Sequence, residues 1–140
     1  MSPTPARIRI DQRVERVDAD PSGTAGWRTI VRFGETAERV MHSALGVVEE
    51  TFGYTPRLRV SLEFGQALYP GDEAQVELAV ISVGRSSVSY RLTVRSPDGI
   101  IAADGEIVTC LVEPDGARSR PWPDHIRRAL ADGGDLTPVV

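Results

Sequence analysis

Few side chains in this 140-residue sequence are equipped to do chemistry, and their types narrow the options. There are two histidines, His42 and His125, one cysteine, Cys110, and no lysine, all 16 basic residues being arginine. The missing lysine excludes Schiff-base catalysis by a side-chain amine and the lysine of a phosphate-binding loop. Two separated histidines without clustered cysteines offer neither zinc-ligand spacing nor the parts of a Ser-His-Asp triad, so no metal site is expected. Cys110 lies in the apolar run IVTCLV, where an inert buried thiol is expected. The carboxylates remain. Asp18 and Asp20 stand in DADPSG, and an aspartate in such a stretch commonly accepts local backbone hydrogen bonds in a turn. Glu35, Glu38 and His42 fall on the wheel of the following helix away from its apolar stripe, which predicts a solvated or interface face.

These residues need elements to position them. RIRIDQRVERV at 7–17 alternates polar and apolar residues as a half-buried strand does, with a break near Asp11 to Arg13 that suggests a bulge. Loop chemistry follows at 18–29. Phe33, Ala37, Val40, Met41, Ala44, Val47 and Val48 then form a stripe of helical period, and FGYTP at 52–56 is expected to end that helix, Gly53 as its cap. The segments RLRVSLEFGQAL, AQVELAVISVG, SSVSYRLTVRS and GIIAADGEIVTCLVE alternate as four further strands joined by short turns, hence antiparallel neighbours. Strand, helix and four strands make an α+β layer with the helix on one sheet face. PDHIRRALAD near the end reads as a short helix starting at Pro123 and Asp124.

Composition sets the remaining bounds. At this length, with 41% hydrophobic residues, one domain over 1–140 is expected, with 1–6 a flexible tail and 114–140 an extension carrying the short helix. A net charge of −4 argues against a nucleic-acid partner. Apolar runs are strand-sized, which argues against a membrane helix, and MSPTPARIRI lacks a signal-peptide pattern, so a cytoplasmic location is expected. A long edge strand exposes unpaired backbone, and pairing two edges in a dimer removes that liability.

The order of these elements, together with VDADPSGTAGW running into a helix that carries FGETAERV, resembles the hot-dog-fold thioesterases of the 4-hydroxybenzoyl-CoA thioesterase type. Asp18, Asp20, Gly23, Trp27, Phe33 and Glu35 fall on the family pattern, and YPGD at 69–72, VGRSSVSY at 83–90 and PDHIRRAL at 123–130 are family-like. After Gly23 the chain departs from the family, with Ala25, Gly26, Arg28 and Thr29 where members often carry Asn or His with aromatic residues.

The resemblance implies a long central helix wrapped by a curved five-stranded antiparallel sheet, and a site for an acyl thioester between two subunits of a homodimer or dimer of dimers. It implies hydrolysis of an acyl-CoA or acyl-carrier-protein thioester, with no cofactor beyond the coenzyme A of the substrate. Asp20 takes the place of the catalytic carboxylate, as nucleophile or general base, with Glu35 in reserve because some hot-dog thioesterases draw their carboxylate from the helix. Gly26, Trp27 and Thr29 stand where the oxyanion and substrate are held, the helix-start amides lying at the positive end of the dipole. Arg85 and Ser86 stand where family hairpins approach coenzyme A. One fold hosts several activities, so two other readings stay open: a hot-dog domain that binds an acyl thioester without turning it over, and a thioester dehydratase or isomerase.

Overall fold

A computed structural model of the chain describes residues 3–138. Strand β1 (Arg7–Arg13) leads through a single 3-10 turn (Arg16–Asp18) to helix α1 (Trp27–Ala44) and a one-turn helix α2 (Val48–Thr51). Strands β2 (Arg57–Phe64), β3 (Glu73–Val83), β4 (Ser87–Arg95) and β5 (Ile101–Cys110) follow, then helix α3 (Asp124–Asp132). The five strands form one sheet in the order β1-β3-β4-β5-β2, every neighbouring pair antiparallel. The chain therefore crosses the whole sheet between β1 and β2, and α1 is the crossing element.

Alternation decides which strand face carries the helix. Val76, Leu78 and Val80 of β3 pair with Val94, Leu92 and Tyr90 of β4, and all six are buried on the side facing Ile30, Phe33, Ala37 and Met41 of α1. Gly34 sets the separation, since a Cβ there would lie 3.1 Å from the side chains of both Leu92 and Ile107. The opposite sheet face is polar, with Arg7 bonded to Glu77 at 2.9 Å and Arg91 and Thr93 both bonded to Asp104. That is the one-sided alternation of an antiparallel sheet packed on a single layer.

Several expectations are corrected. β1 pairs with β3 in unbroken register and carries no bulge; Val14 is buried beyond its end, but Val17 is 89% exposed in the 3-10 turn. Helix α1 stops at Ala44 because Gly46 adopts φ 76°, so Val47 and Val48 belong to a second, shorter turn, and Gly53 follows α2 instead. β2 ends at Phe64, and the amides of Gly65 and Gln66 bond back to β5. The expected flexible tail at 1–6 holds for none of Thr4 to Ala6: Thr4 and Ala6 are tied to Gly134, Leu130 and Val80 by backbone bonds, and Ala6 is fully buried. Residues 1 and 2 lie outside the described residues.

The two sheet edges differ. Backbone around Gly134 to Leu136 pairs with Arg7 and covers part of β1. Along β2, Leu58, Val60 and Phe64 are 62%, 38% and 56% exposed, and no strand pairs with its outer side among the described residues. No helix is long and apolar enough to cross a membrane among the described residues.

Candidate functional site

The loop from Ala19 to Ala25 closes on itself as a narrow hairpin. Asp20 N–H donates to the Thr24 carbonyl at 2.8 Å, Gly23 N–H donates to the Asp20 carbonyl at 2.9 Å, and Ala19 bridges Ala25. Gly23 takes φ 86°, which a side chain would strain. Below the loop, Asp18 is anchored: its carboxylate accepts from the Glu15 N–H at 2.8 Å and from Arg32 at 2.6 Å.

This geometry divides the two oxygens of Asp20. Oδ1 accepts the Ser22 N–H at 2.9 Å and the Ser22 hydroxyl. Oδ2 lies over Gly26, 3.6 Å from where a Cβ on that residue would sit. The Ser22 bonds, side chain first and backbone second, hold the Asp20 carboxyl below its usual range, so it is an anion at neutral pH. One oxygen is a turn acceptor, and the other is free to face a cavity.

That cavity has a volume of about 350 Å³ and is walled by Asp20, Trp27, Ile30, Phe64, Leu68 and Ala102, with Gly26 at its edge. Trp27 is 61% exposed and packs under the Arg28 guanidinium, 5.5 Å from the ring centroid. The amide of Gly26 is spent on the Asp18 carbonyl at 3.3 Å. The N–H groups of Trp27 and Arg28 come next, before any acceptor within α1 exists, and they sit at the positive end of its dipole. A carboxylate, free amides and an apolar wall thus meet at one helix start.

The other expected site residues are placed elsewhere. Thr29 does not reach Asp20: it is buried, and its hydroxyl donates to the Asp18 carbonyl at 3.2 Å, which fixes the loop on the helix. Glu35 lines a different cavity, because nine residues of helix carry it about 13 Å beyond Gly26. Arg85 and Ser86 sit in the β3–β4 hairpin, and β3 separates that hairpin by about 35 Å from the strand end nearest Asp20. Within one chain, neither residue shares the Asp20 cavity. The Arg85 carbonyl instead accepts from Trp122 and Arg127 near α3.

Sequence reasoning gave a second group of residues no part in a buried network. Glu38 and His42, expected on a solvated or interface face of α1, are only 8% and 2% exposed, covered by this chain itself. α2 and the start of β2 fold back over that side, so α1 is buried on two sectors instead of one. His42 bridges two hydroxyls, Nδ1 to Thr51 at 2.7 Å and Nε2 to Tyr90 at 2.8 Å. Because Thr51 donates onward to the Val47 carbonyl, Nδ1 is the donor and Nε2 accepts from Tyr90. Burial pulls His42 down to about 4, so it is neutral, in keeping with that chain of bonds. Glu38 faces Arg57, and burial pushes its carboxyl up to about 7 against the pull of that cation. The signal that could have found Glu38 and His42 was their position flanking Met41 and Ala37, one step off the stripe.

No family model matches the sequence, and no curated protein matches it. Solved structures do. A thioesterase from Thermus thermophilus, complexed with coenzyme A and Zn, shares 27% identity and a TM-score of 0.76 over 87% of this chain and 95% of that one. The 4-hydroxybenzoyl CoA thioesterase of Pseudomonas sp. strain CBS-3 shares 24% identity at a TM-score of 0.76, over 86% of this chain and 97% of its own. A 1,4-dihydroxy-2-naphthoyl-CoA thioesterase from Synechocystis shares 14% identity at a TM-score of 0.77, over 89% and 95% of the two chains. The helix-crossed five-stranded sheet is common to all of them, and the chain is a hot-dog-fold protein built like these thioesterases.

Proposed function

We propose that the chain hydrolyses acyl thioesters, with Asp20 as nucleophile or general base. The observation that carries this reading is the free Oδ2 of an ionised Asp20 placed over Gly26 at the start of α1, in a cavity with apolar walls. A thioester carbonyl seated there would lie between that oxygen and the unpaired amides of Trp27 and Arg28. Those amides stabilise the negative charge that develops on the carbonyl oxygen, and they need no reorganisation to do so. Gly26 lets the reacting carbon approach closely, and Ile30, Phe64 and Leu68 give the acyl group an apolar lining. Coenzyme A as carrier is supported by the Thermus thioesterase, which was solved with coenzyme A, and by a 4-hydroxybenzoyl CoA thioesterase of which an Asp-to-Asn variant was solved with 4-hydroxybenzoyl CoA.

Assembly belongs to the same proposal. The free edge of β2 and its exposed Leu58, Val60 and Phe64 favour a homodimer in which two β2 strands pair, and Phe64 then brings the Asp20 cavity to the subunit boundary. Arg85 and Ser86 contribute to coenzyme A binding only across that boundary. Light scattering at micromolar concentration should give the mass of a dimer or a dimer of dimers; a clean monomer removes the proposed interface site.

The reaction itself is tested with a panel of acyl-CoA substrates followed by free-thiol release, comparing the wild-type protein with Asp20→Asn. The substitution keeps size and removes the anion. Turnover should fall by roughly two to four orders of magnitude with KM nearly unchanged. Unaltered turnover in a folded variant sinks the assignment, and acyl-CoA binding without turnover in the wild-type protein favours the non-catalytic binder.

A further inference from the structure

The β3–β4 hairpin is held by more bonds than a hairpin needs. Its own Gly84 N–H donates to the Ser87 carbonyl at 2.8 Å, which already closes the turn. The chain that follows β5 then bonds every carbonyl from Gly84 to Ser87. Leu111 N–H donates to the Ser86 carbonyl at 2.7 Å, and Trp122 N–H donates to that of Arg85 at 3.0 Å. The Trp122 indole Nε1 donates to the Ser87 carbonyl at 2.9 Å. Nη2 of Arg127 donates to the carbonyls of Gly84 at 2.7 Å and Arg85 at 3.2 Å. Leu111 and Trp122 are buried, and Ile126 and Leu130 seat α3 on the core, so the donors are themselves fixed. All these bonds are made within one chain and are complete in it.

With its carbonyls taken, the turn has donors left to offer a ligand. Arg85 is exposed and in no ion pair among the described residues. The amides of Arg85 and Ser86 donate to no backbone carbonyl among the described residues. A bulge at Ile81, where β3 shifts register against Tyr90 and Ser89, bends this end of the hairpin away from the sheet. A guanidinium, two amides and the Ser86 hydroxyl suit an anion, and the phosphates of coenzyme A lie at the end of that carrier remote from the thioester. We propose that Arg127 and Trp122 are positioning residues that hold the Arg85–Ser86 turn in shape for those phosphates. This rests on the reading above, in which the turn meets coenzyme A across the subunit boundary.

Arg127 is the more telling of the two. Leu111 and Trp122 fasten the turn with neutral N–H groups, and a neutral donor on α3 would fasten Gly84 as well. The guanidinium instead brings a positive charge against the turn, with no acidic partner in an ion pair among the described residues. That charge adds to the potential Arg85 presents, and an arriving phosphate balances both. The grip is far from the reacting carbonyl, so ground and transition states share it equally. Losing it raises KM and leaves kcat in place.

Calorimetric titration of the full chain with coenzyme A and with pantetheine, which lacks the phosphates, tests the proposal. Arg127→Gln should weaken coenzyme A by about tenfold or more and leave pantetheine unchanged. Arg127→Lys should stay within about threefold of the wild-type protein, because a single nitrogen makes both bonds and an ammonium can replace it. Arg85→Gln should cost as much as Arg127→Gln, and the double variant no more than Arg85→Gln alone, since Arg127 acts through the turn. Trp122→Phe keeps a buried ring and removes the donor to Ser87; it should weaken coenzyme A by about threefold or more, and it decides the matter should Arg127→Gln not fold. In thiol release, Arg127→Gln should raise KM for acyl-CoA by the same factor as it weakens coenzyme A, with kcat within about twofold. Unchanged coenzyme A affinity in Arg127→Gln, equal losses for coenzyme A and pantetheine, additive losses in the double variant, or no coenzyme A binding at millimolar concentration overturns the proposal. Turnover with any of these results overturns this inference alone, and the expected binding pattern without turnover overturns only the thioesterase reading.

Discussion

The start and the middle of helix α1 treat a carboxyl group in opposite ways. Asp20 is exposed, sits in a closed hairpin and is held ionised by the backbone and hydroxyl of Ser22. Glu38, twelve residues past Gly26 and about 18 Å along the helix, is buried, has only long contacts and carries a proton near pH 7. Local hydrogen bonds decide the first, and loss of water decides the second. The contrast separates a group prepared to act as an anion from one prepared to give and take a proton.

Turnover should divide the two regions most sharply. Where Asp20→Asn loses two to four orders of magnitude in thiol release, Glu35→Gln and Glu38→Gln should stay within about threefold, because neither side chain lines the cavity that holds Asp20. A loss in Glu35→Gln as large as that in Asp20→Asn would place the chemistry on the helix middle instead and reverse the comparison.

Stability comes next. Met41 is fully buried between α1 and the sheet, and Met41→Ala should cost about 2 to 5 kcal/mol in chemical denaturation. A glutamate on a solvated face would contribute little to stability, but Glu38 is buried. Its carboxyl rises from 4.5 to about 7 on folding, so the folded state holds its proton more tightly and stability falls as pH rises from 4.5 to 7. His42 moves from 6.5 down to about 4, so the unfolded state holds that proton more tightly and stability falls as pH drops from 6.5 to 4. Each change totals on the order of 3 kcal/mol over its full range, and the two oppose one another between pH 4.5 and 6.5. The wild-type protein should therefore show a nearly flat denaturation midpoint across that window. Glu38→Gln should expose the His42 slope, losing stability on acidification, and should exceed the wild-type protein at pH 8. A Glu38→Gln protein as flat as the wild type would mean that the burial of these groups is misjudged.

The same two regions show what could be read from the residues. Alternation in β3 and β4 and the stripe through Phe33, Ala37 and Met41 encode the sheet, the helix and the face where they meet, because apolar periodicity directly records burial against one layer. Glu38 and His42 escaped for a physical reason. Their cover comes from α2 and Arg57, and α2 exists only because Gly46 turns the chain back, an event that no periodic pattern announces. Polar side chains buried by such a return look identical in sequence to polar side chains facing water. At the helix start, DADPSG marked the loop, but which amides stay free was hidden. The Asp18 carbonyl takes the N–H of Gly26 and the hydroxyl of Thr29, and nothing in the residue types foretells that choice.

The smallest expected effect tests how the Asp20 end of the comparison is built. Ser22→Ala removes the hydroxyl bond to Oδ1, the largest influence holding the Asp20 carboxyl down, and leaves the Ser22 backbone N–H in place. Nucleophile or base, Asp20 works as an anion, so activity rises with pH as it loses its proton, and a higher pKa moves that acidic limb to higher pH. At pH 7 the carboxyl is ionised with or without the hydroxyl, so kcat there should change by no more than about twofold. The pH profile of kcat/KM, which reports the free enzyme, is the measurement that reads the change. An acidic limb that does not move would mean that the backbone N–H alone sets the charge of Asp20. A limb that moves to lower pH would contradict the hydrogen-bond account of why the two carboxyls differ.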